Sequence, residues 1–211
     1  MDKRGLLIVV SGFAGSGKGT LMKRLTEDYG NYALSVSMTT RAPRPGEVHG
    51  REYFFVSREE FEQKIKAGGL IEYASYVENY YGTPKTYVEE QIAAGKDVIL
   101  EIEIQGALKV KKRFPDAVLI FVLPPSVEEL YQRLKKRGTE TEDVIRKRMR
   151  RAADEAGAIG EYDYIMINDK LEESVKRLHS LIRAAHDTPG RNEEFIRGMK
   201  EDLEMLWKGE I

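Results

Sequence analysis

The densest chemistry in the chain lies in nine consecutive residues, Gly12-Phe13-Ala14-Gly15-Ser16-Gly17-Lys18-Gly19-Thr20. The glycines at 12, 15, 17 and 19 let the backbone bend until successive N–H groups point into one concavity, and Lys18 adds a mobile full charge. The apolar run Leu6 to Val10 precedes this loop, and Leu21, Met22 and Leu25 follow it at helical spacing. Strand, glycine loop and helix N-terminus together form an anion cradle, because the helix dipole places partial positive charge where the amides converge. An ordinary strand-to-helix turn needs one or two glycines and no lysine. Ser or Thr usually follows such a lysine and ligates Mg²⁺ through its hydroxyl. Here Gly19 takes that place with Thr20 next, so Thr20 or a water is left to complete the ion's shell.

A second constellation lies downstream. Arg41 and Arg44, three apart in a proline-rich turn, can fork a terminal phosphate, and the phenols of Tyr53 and Tyr81 can add hydrogen bonds. Taken singly, these residues read as a solvated basic turn and two core tyrosines. Glu101 and Glu103 stand two apart in Val98 to Ile104, which reads as a strand, so both carboxylates are expected on one face. Their neighbours are apolar, and charges placed there are costly without a partner or a task.

The segment Ser35-Val36-Ser37-Met38-Thr39-Thr40-Arg41-Ala42-Pro43-Arg44-Pro45-Gly46-Glu47 resembles the nucleotide-monophosphate segment of guanylate kinases. Glu52 to Val56, Leu70 to Tyr73, Asn79 to Thr83 and Glu101 to Gly106 follow at that family's spacing, and the similarity runs from about Gly5 to about His186. It implies ATP-dependent phosphoryl transfer to GMP and dGMP, with Mg²⁺ accompanying ATP. By resemblance the loop from Gly12 to Thr20 binds ATP, while Arg41, Arg44, Tyr53 and Tyr81 hold the GMP phosphate. Base choice falls to Glu72 with the hydroxyls of Ser37 and Thr83. Guanine presents adjacent N1–H and N2–H₂ donors that one carboxylate accepts in parallel, whereas adenine would leave that carboxylate unpaired. Glu101 is implied near the metal and phosphates, directly or through water, and Glu103 near GMP. Arg133-Leu134-Lys135-Lys136-Arg137 to Glu142, with Arg146-Lys147-Arg148, resembles the family's lid. Arg133, Arg137 and Arg148 match its phosphate-binding arginines, and Asn168 matches a residue near the adenine. Lys18, Arg41, Arg137 and Arg148 are the implied catalytic groups.

Two other readings share parts of this pattern. Guanylate-kinase-like scaffold modules keep the GMP side but lose a working P-loop, against which Lys18 and its glycines stand. A kinase for ribose bisphosphate shares the P-loop, against which Glu72, Arg41 and Arg44 stand. In phosphoryl transfer the acceptor phosphate is already an anionic nucleophile, so no general base is demanded. His49, His179 and His186 fit no catalytic pattern.

Positioning these groups calls for an α/β fold: a P-loop NTPase-type parallel sheet covered by helices, with a small mixed α+β GMP-binding insert and a helical lid. The expected core strands are Leu6 to Val10, Ala33 to Met38, Val98 to Ile104, Val118 to Leu123 and Tyr164 to Ile167. Ser57-Arg58-Glu59-Glu60 and Ser126-Val127-Glu128-Glu129 read as capping boxes, and Thr83-Pro84 as a cap before an N1 proline. Short antiparallel strands are expected at Glu52 to Val56 and Leu70 to Val77. The core is assigned to 1–38 and 84–186, the insert to 39–83, the lid to 133–156, and a helical tail to 187–211. In that tail Phe195, Met199, Leu203 and Leu206 keep helical spacing, which predicts packing on the body or on a second subunit in a homo-oligomer.

At 211 residues the chain suits one core with small inserts. Lys plus Arg (34) nearly balances Asp plus Glu (35), which excludes a global field for nucleic acid or anionic membrane, so anion binding must be local. With no cysteine and no apolar run of membrane length, the protein is expected in the cytoplasm.

Overall fold

The computed structural model describes residues 4–76, 78–136 and 141–208, without the side chain of Tyr76. Its frame is a five-stranded, wholly parallel sheet. The strands are β1 (Leu7–Gly12), β2 (Tyr32–Leu34), β7 (Asp97–Glu101), β8 (Val118–Leu123) and β9 (Tyr164–Ile167), in the order β2-β7-β1-β8-β9. The expected α/β class is thus observed. Ile8, Val9, Val10, Leu119 and Ile120 are fully buried, as strands covered on both faces require. On one face lie α1 (Lys18–Asp28) and α7 (Leu171–His186), whose Leu21, Leu25, Leu178 and Ile182 pack on Ile8 and Val10. On the other, α3 (Lys85–Ala93) and α4 (Ile104–Arg113) bring Val88, Ala107 and Val110 against Val9 and Leu100.

A second sheet of four strands, ordered β4-β3-β6-β5, comprises β3 (Met38–Thr39), β4 (Phe54–Phe55), β5 (Leu70–Tyr76) and β6 (Asn79–Pro84). α2 (Arg58–Lys66) packs on it through Phe61, which is buried with Met38 and Leu70. The capping box at Ser57 is complete: its hydroxyl accepts from the Glu60 amide while the Glu60 carboxylate accepts from the Ser57 amide. Arg113, the last residue of α4, ties this sheet to the core by donating to the Leu70 carbonyl at 2.8 Å.

Several expectations are corrected. Ala33 to Met38 is no single strand: after Ser35 donates to the Ile99 carbonyl the chain leaves the large sheet, and Met38–Thr39 pairs in the small one. Val98 to Ile104 stops at Glu101, because Ile104, Ala107 and Val110 bury one helical stripe and turn the chain into α4 with Glu103 as its N-cap. β4 runs parallel, not antiparallel, to its neighbour β3. Pro84, not Thr83, is the N-cap of α3, and the Thr83 hydroxyl is used elsewhere. At Ser126 the hydroxyl accepts from the Glu129 amide as expected, but the Glu129 carboxylate turns to Arg133.

α5 (Val127–Lys136) and α6 (Glu142–Ala156) pack on each other beside the P-loop, and α8 (Glu193–Lys208) is the last element among the described residues. α8 has no buried residue, and Phe195, Met199, Leu203 and Leu206 are exposed, so the body does not cover its apolar stripe. No helix among the described residues is long and apolar enough to cross a membrane.

Candidate functional site

β1 ends at Gly12 and α1 begins at Lys18, so the loop between them sits at the C-terminal edge of the parallel sheet. Three of its glycines are required by conformation, the first being Gly12, with φ +154° and the Val122 carbonyl oxygen in the place a Cβ would need. Gly15 has φ +94° with Leu134 packed against it, and Gly17 has φ +89°, where a Cβ would lie 2.5 Å from Asn168 Nδ2. Gly19 differs, because a Cβ there would meet nothing within 4 Å, leaving open the space that a Ser or Thr side chain would enter. Ser16 Oγ is buried without a hydrogen-bond partner among the described residues, which leaves a donor inside the cradle for an incoming oxyanion. Lys18 folds back on the loop, donating from Nζ to the carbonyls of Gly12 (2.7 Å) and Phe13 (3.2 Å).

The loop is braced from outside. Asn168, buried at the end of β9, donates from Nδ2 to the Ser16 carbonyl at 2.9 Å, which commits that amide to the loop. Arg133 on α5 donates to Glu129 at 2.7 Å and reaches the Ser16 carbonyl at 3.4 Å, so its guanidinium ties α5 to the loop. Arg148 is half-buried on α6. Arg137 lies outside the described residues.

Glu101 ends β7 beside Val10, opening into the cleft next to the P-loop. Surrounding protein raises its pKa, Lys18 pulls it back, and Glu103 pushes it up again. No cluster of His, Asp or Glu among the described residues forms a protein cage for a metal ion. One carboxylate beside a phosphate cradle nevertheless suits Mg²⁺, which keeps waters and takes substrate phosphates as ligands. Thr20, next to Gly19 on the first turn of α1, is exposed. Glu103 departs from expectation. It sits off the strand and accepts from Arg151 of α6 at 2.6 Å, while Arg151 also donates to Glu155 at 2.7 Å. The two glutamates therefore do not share a strand face.

Across the cleft, Thr39 and Thr40 weld the arginine segment to β6. Thr39 Oγ1 donates to the Tyr80 carbonyl and accepts from the Arg41 amide, and Thr40 Oγ1 accepts from the Tyr80 amide. Arg41 is then held by Glu47. Its Nη2 lies 2.9 Å from both carboxylate oxygens, and the Arg44 amide donates to the same carboxylate at 2.7 Å. The Arg44 amide, then Arg41, hold the Glu47 carboxyl below the usual carboxylate range. The Arg41 guanidinium also lies 5.5 Å from the Tyr53 ring and 5.8 Å from that of Phe55, and Tyr53 meets Tyr81 edge-on at 6.0 Å. Arg41, Tyr53 and Tyr81 thus come together, with the exposed Arg44 at the rim. Sequence reasoning missed Glu47; its place three residues after Arg44, in the same turn, was the available signal.

Glu72, in the middle of β5, projects toward α4. One carboxylate oxygen accepts from Thr83 Oγ1 at 2.9 Å, and the other would lie 3.4 Å from a Cβ at Gly106, so Gly106 makes room for it. Burial raises the Glu72 pKa, partly opposed by the Thr83 hydrogen bond and by Lys109. Ser37 lies in the link between the sheets, where its carbonyl accepts from Phe54.

Residues 4–185 match the model of a family described as guanylate kinase. A protein named guanylate kinase from Lactococcus lactis is 49% identical over 205 residues, covering 97% of this chain and all of its own. Another from Halalkalibacterium halodurans is 55% identical over 187 residues, covering 88% of this chain and 92% of its own. Among solved structures, that of guanylate kinase from Anaplasma phagocytophilum is similar with a TM-score of 0.70 and 35% identity over 89% of each chain.

Proposed function

The chain belongs to the guanylate kinase family and transfers the γ-phosphoryl group of ATP to GMP, and from that premise we propose how its residues divide the work. The loop from Gly12 to Thr20 takes the ATP phosphates. Its amides are fixed by backbone conformation, and Lys18 leaves the loop carbonyls for the β and γ oxygens. Glu101, directly or through water, holds Mg²⁺, with Thr20 as a weaker candidate; the bound ion supplies charge neutralisation at the transferring group. Arg133, Arg137 and Arg148 add cationic donors from the lid side. Phosphoryl transfer passes through a loose transition state, so alignment and charge account for the catalysis.

The acceptor is read by Glu72, and this assignment rests on one observation: a half-buried carboxylate with one oxygen on Thr83 and the other beside Gly106. That geometry leaves lone pairs for two parallel N–H donors, which guanine has and adenine lacks. Ser37 completes the hydroxyl set. Arg41, Arg44, Tyr53 and Tyr81 bind the GMP phosphate, with Glu47 positioning Arg41. Because none of these groups needs a ribose 2′-hydroxyl, dGMP is a second acceptor. Glu103 contacts GMP only after releasing Arg151, so its pairing links the lid helix to the acceptor side. The small sheet, about residues 39–83, closes over GMP and the segment 133–156 closes over ATP, excluding water as a competing acceptor. A reducing cytoplasmic setting belongs to the same reading and agrees with a chain without cysteine.

A coupled ADP-release assay across GMP, dGMP, AMP, CMP, UMP and ribose bisphosphate tests this division. GMP and dGMP should turn over while the other acceptors do not. Turnover of AMP at a comparable rate would remove the role of Glu72.

A further inference from the structure

The two histidines of α7 that the reaction leaves unused sit on one stripe with an arginine. His179, Arg183 and His186 are spaced i, i+4 and i+7, so they share a face of the helix. That face overlies the N-terminal edge of the parallel sheet, where Arg4, Asn31 and Asp97 lead into β1, β2 and β7. With Gly95, these six residues line a cavity of about 340 Å³ at the end of the sheet opposite the P-loop.

The polar groups of this recess are arranged for an anion. Asp97 is 2% exposed and its oxygens are engaged: it accepts from the Leu6 amide at 2.8 Å, His186 Nε2 at 2.9 Å and Asn31 Nδ2 at 3.3 Å. Burial, then Asp97, push the Tyr32 hydroxyl well above its ordinary pKa, so it stays protonated, and its oxygen lies 2.6 Å from His179 Nδ1. Nδ1 is thereby engaged, and an anion at Nε2 would select the tautomer that carries its hydrogen there. The ring is held rigid by stacking on Tyr29 at 3.8 Å and by edge contact with Tyr32. Arg191 donates to the Arg4 carbonyl at 2.7 Å, which anchors the backbone on the opposite wall. α7 ends at His186, and its dipole opposes an anion there by about half an elementary charge; the buried Asp97 opposes it too, and the guanidinium groups of Arg4 and Arg183 act in the opposite sense.

We propose that this recess is a second anion site, distinct from the ATP and GMP sites, that takes a phosphomonoester between Arg4 and Arg183 with His179 Nε2–H as a third donor. The cavity far exceeds the roughly 30 Å³ share of a water molecule, so a sugar-sized body fits beside the phosphate. The site joins the core through the edge at which β1 and β7 enter the sheet; those strands end at Gly12 and Glu101.

The three histidines provide the test, because imidazole NMR signals report each position separately and His49, bridged to Tyr53 just before β4 on the acceptor side, serves as an internal control. The full-length chain is titrated at constant ionic strength with inorganic phosphate and, separately, with ribose 5-phosphate. Burial, then Arg183, lower the His179 pKa, so a bound anion should raise it. The expected result is a saturable His179 shift in the millimolar range with both probes, tighter with ribose 5-phosphate. Arg183→Gln should weaken it by about tenfold, while the His49 response and the turnover of GMP stay as they were. Arg183 is exposed, so its replacement leaves the core intact. A His179 signal that does not move, that moves equally with chloride, or that moves equally in Arg183→Gln overturns the site. Saturation by phosphate alone overturns the assignment of an organic phosphomonoester.

Discussion

Beneath the P-loop, Ile8, Val9 and Val10 are fully buried in a strand paired on both sides, while beneath the acceptor segment only Met38, Phe61 and Leu70 form a buried cluster. The donor site is therefore held by backbone: positive φ at Gly15 and Gly17, carbonyls on Lys18, and an asparagine and an arginine pinned to Ser16. The acceptor site is held by side chains acting on side chains, Glu47 on Arg41 and Thr83 on Glu72, over strands as short as two residues. A backbone cradle is ready before ATP arrives and tolerates few replacements. A side-chain site on a small sheet can move with its ligand, as the proposed closure over GMP requires.

The sharpest way to break this comparison is Lys18→Ala. It should lower kcat by about 10²- to 10³-fold while GMP binding, measured by calorimetry, remains close to wild type. Equal loss of GMP binding would show that the two halves are not separable. Next, Glu72→Gln should reduce kcat/KM for GMP by about 10- to 100-fold, or about 1.4 to 2.8 kcal/mol, with the KM for ATP unchanged. The pH dependence sharpens the same point. Because burial raises the Glu72 pKa in the empty site, acid should neutralise the carboxylate first, so the KM for GMP should climb as pH falls through that value while the KM for ATP does not. The stability effect has the opposite sign. A folded pKa above the unfolded one favours the fold in acid and costs stability as pH rises through the folded value, so Glu72→Gln should raise Tm at neutral pH.

A smaller effect is expected at Glu47. Glu47→Gln should raise the KM for GMP by about three- to tenfold with kcat nearly kept, since it loosens Arg41 without removing it, and Glu47→Asp should restore part of the loss. The smallest is Gly19→Ser, which should change kcat by less than about threefold. The space is open and the residue lacks the positive φ that would exclude a side chain. A large loss there would mean that the loop depends on Gly19 in a way its geometry does not indicate.

The two halves also differed in how far they could be read from the residues alone. The P-loop was legible as a unit because its amides are consecutive backbone groups, and Val118 to Leu123 was legible because it is a continuous apolar run covered on both faces; Tyr164 to Ile167 is an apolar run too, although at the sheet edge Ile165 and Ile167 stay exposed. The segment from Ser35 to Met38 was not, since its apolar alternation is the same whether it pairs in one sheet or crosses between two. Glu103 was misplaced because the stripe of Ile104, Ala107 and Val110 fits a helix as well as a strand continuation, and packing on the core decided between them.

Local chemistry thus settled, before any folding, the anion cradle, its lysine, the arginine pair and the alternation of strands with helices, because each depends on neighbours a few residues apart. Contacts between residues far apart in the chain settled the rest. Glu47 closes on Arg41 through a turn, Asn168 reaches Ser16 from 152 positions away, Glu103 meets Arg151 across 48, and Thr83 turns from a helix cap to Glu72. Such pairings have no periodicity to read, since a side chain's partner is fixed only when the sheets and helices that carry both have packed.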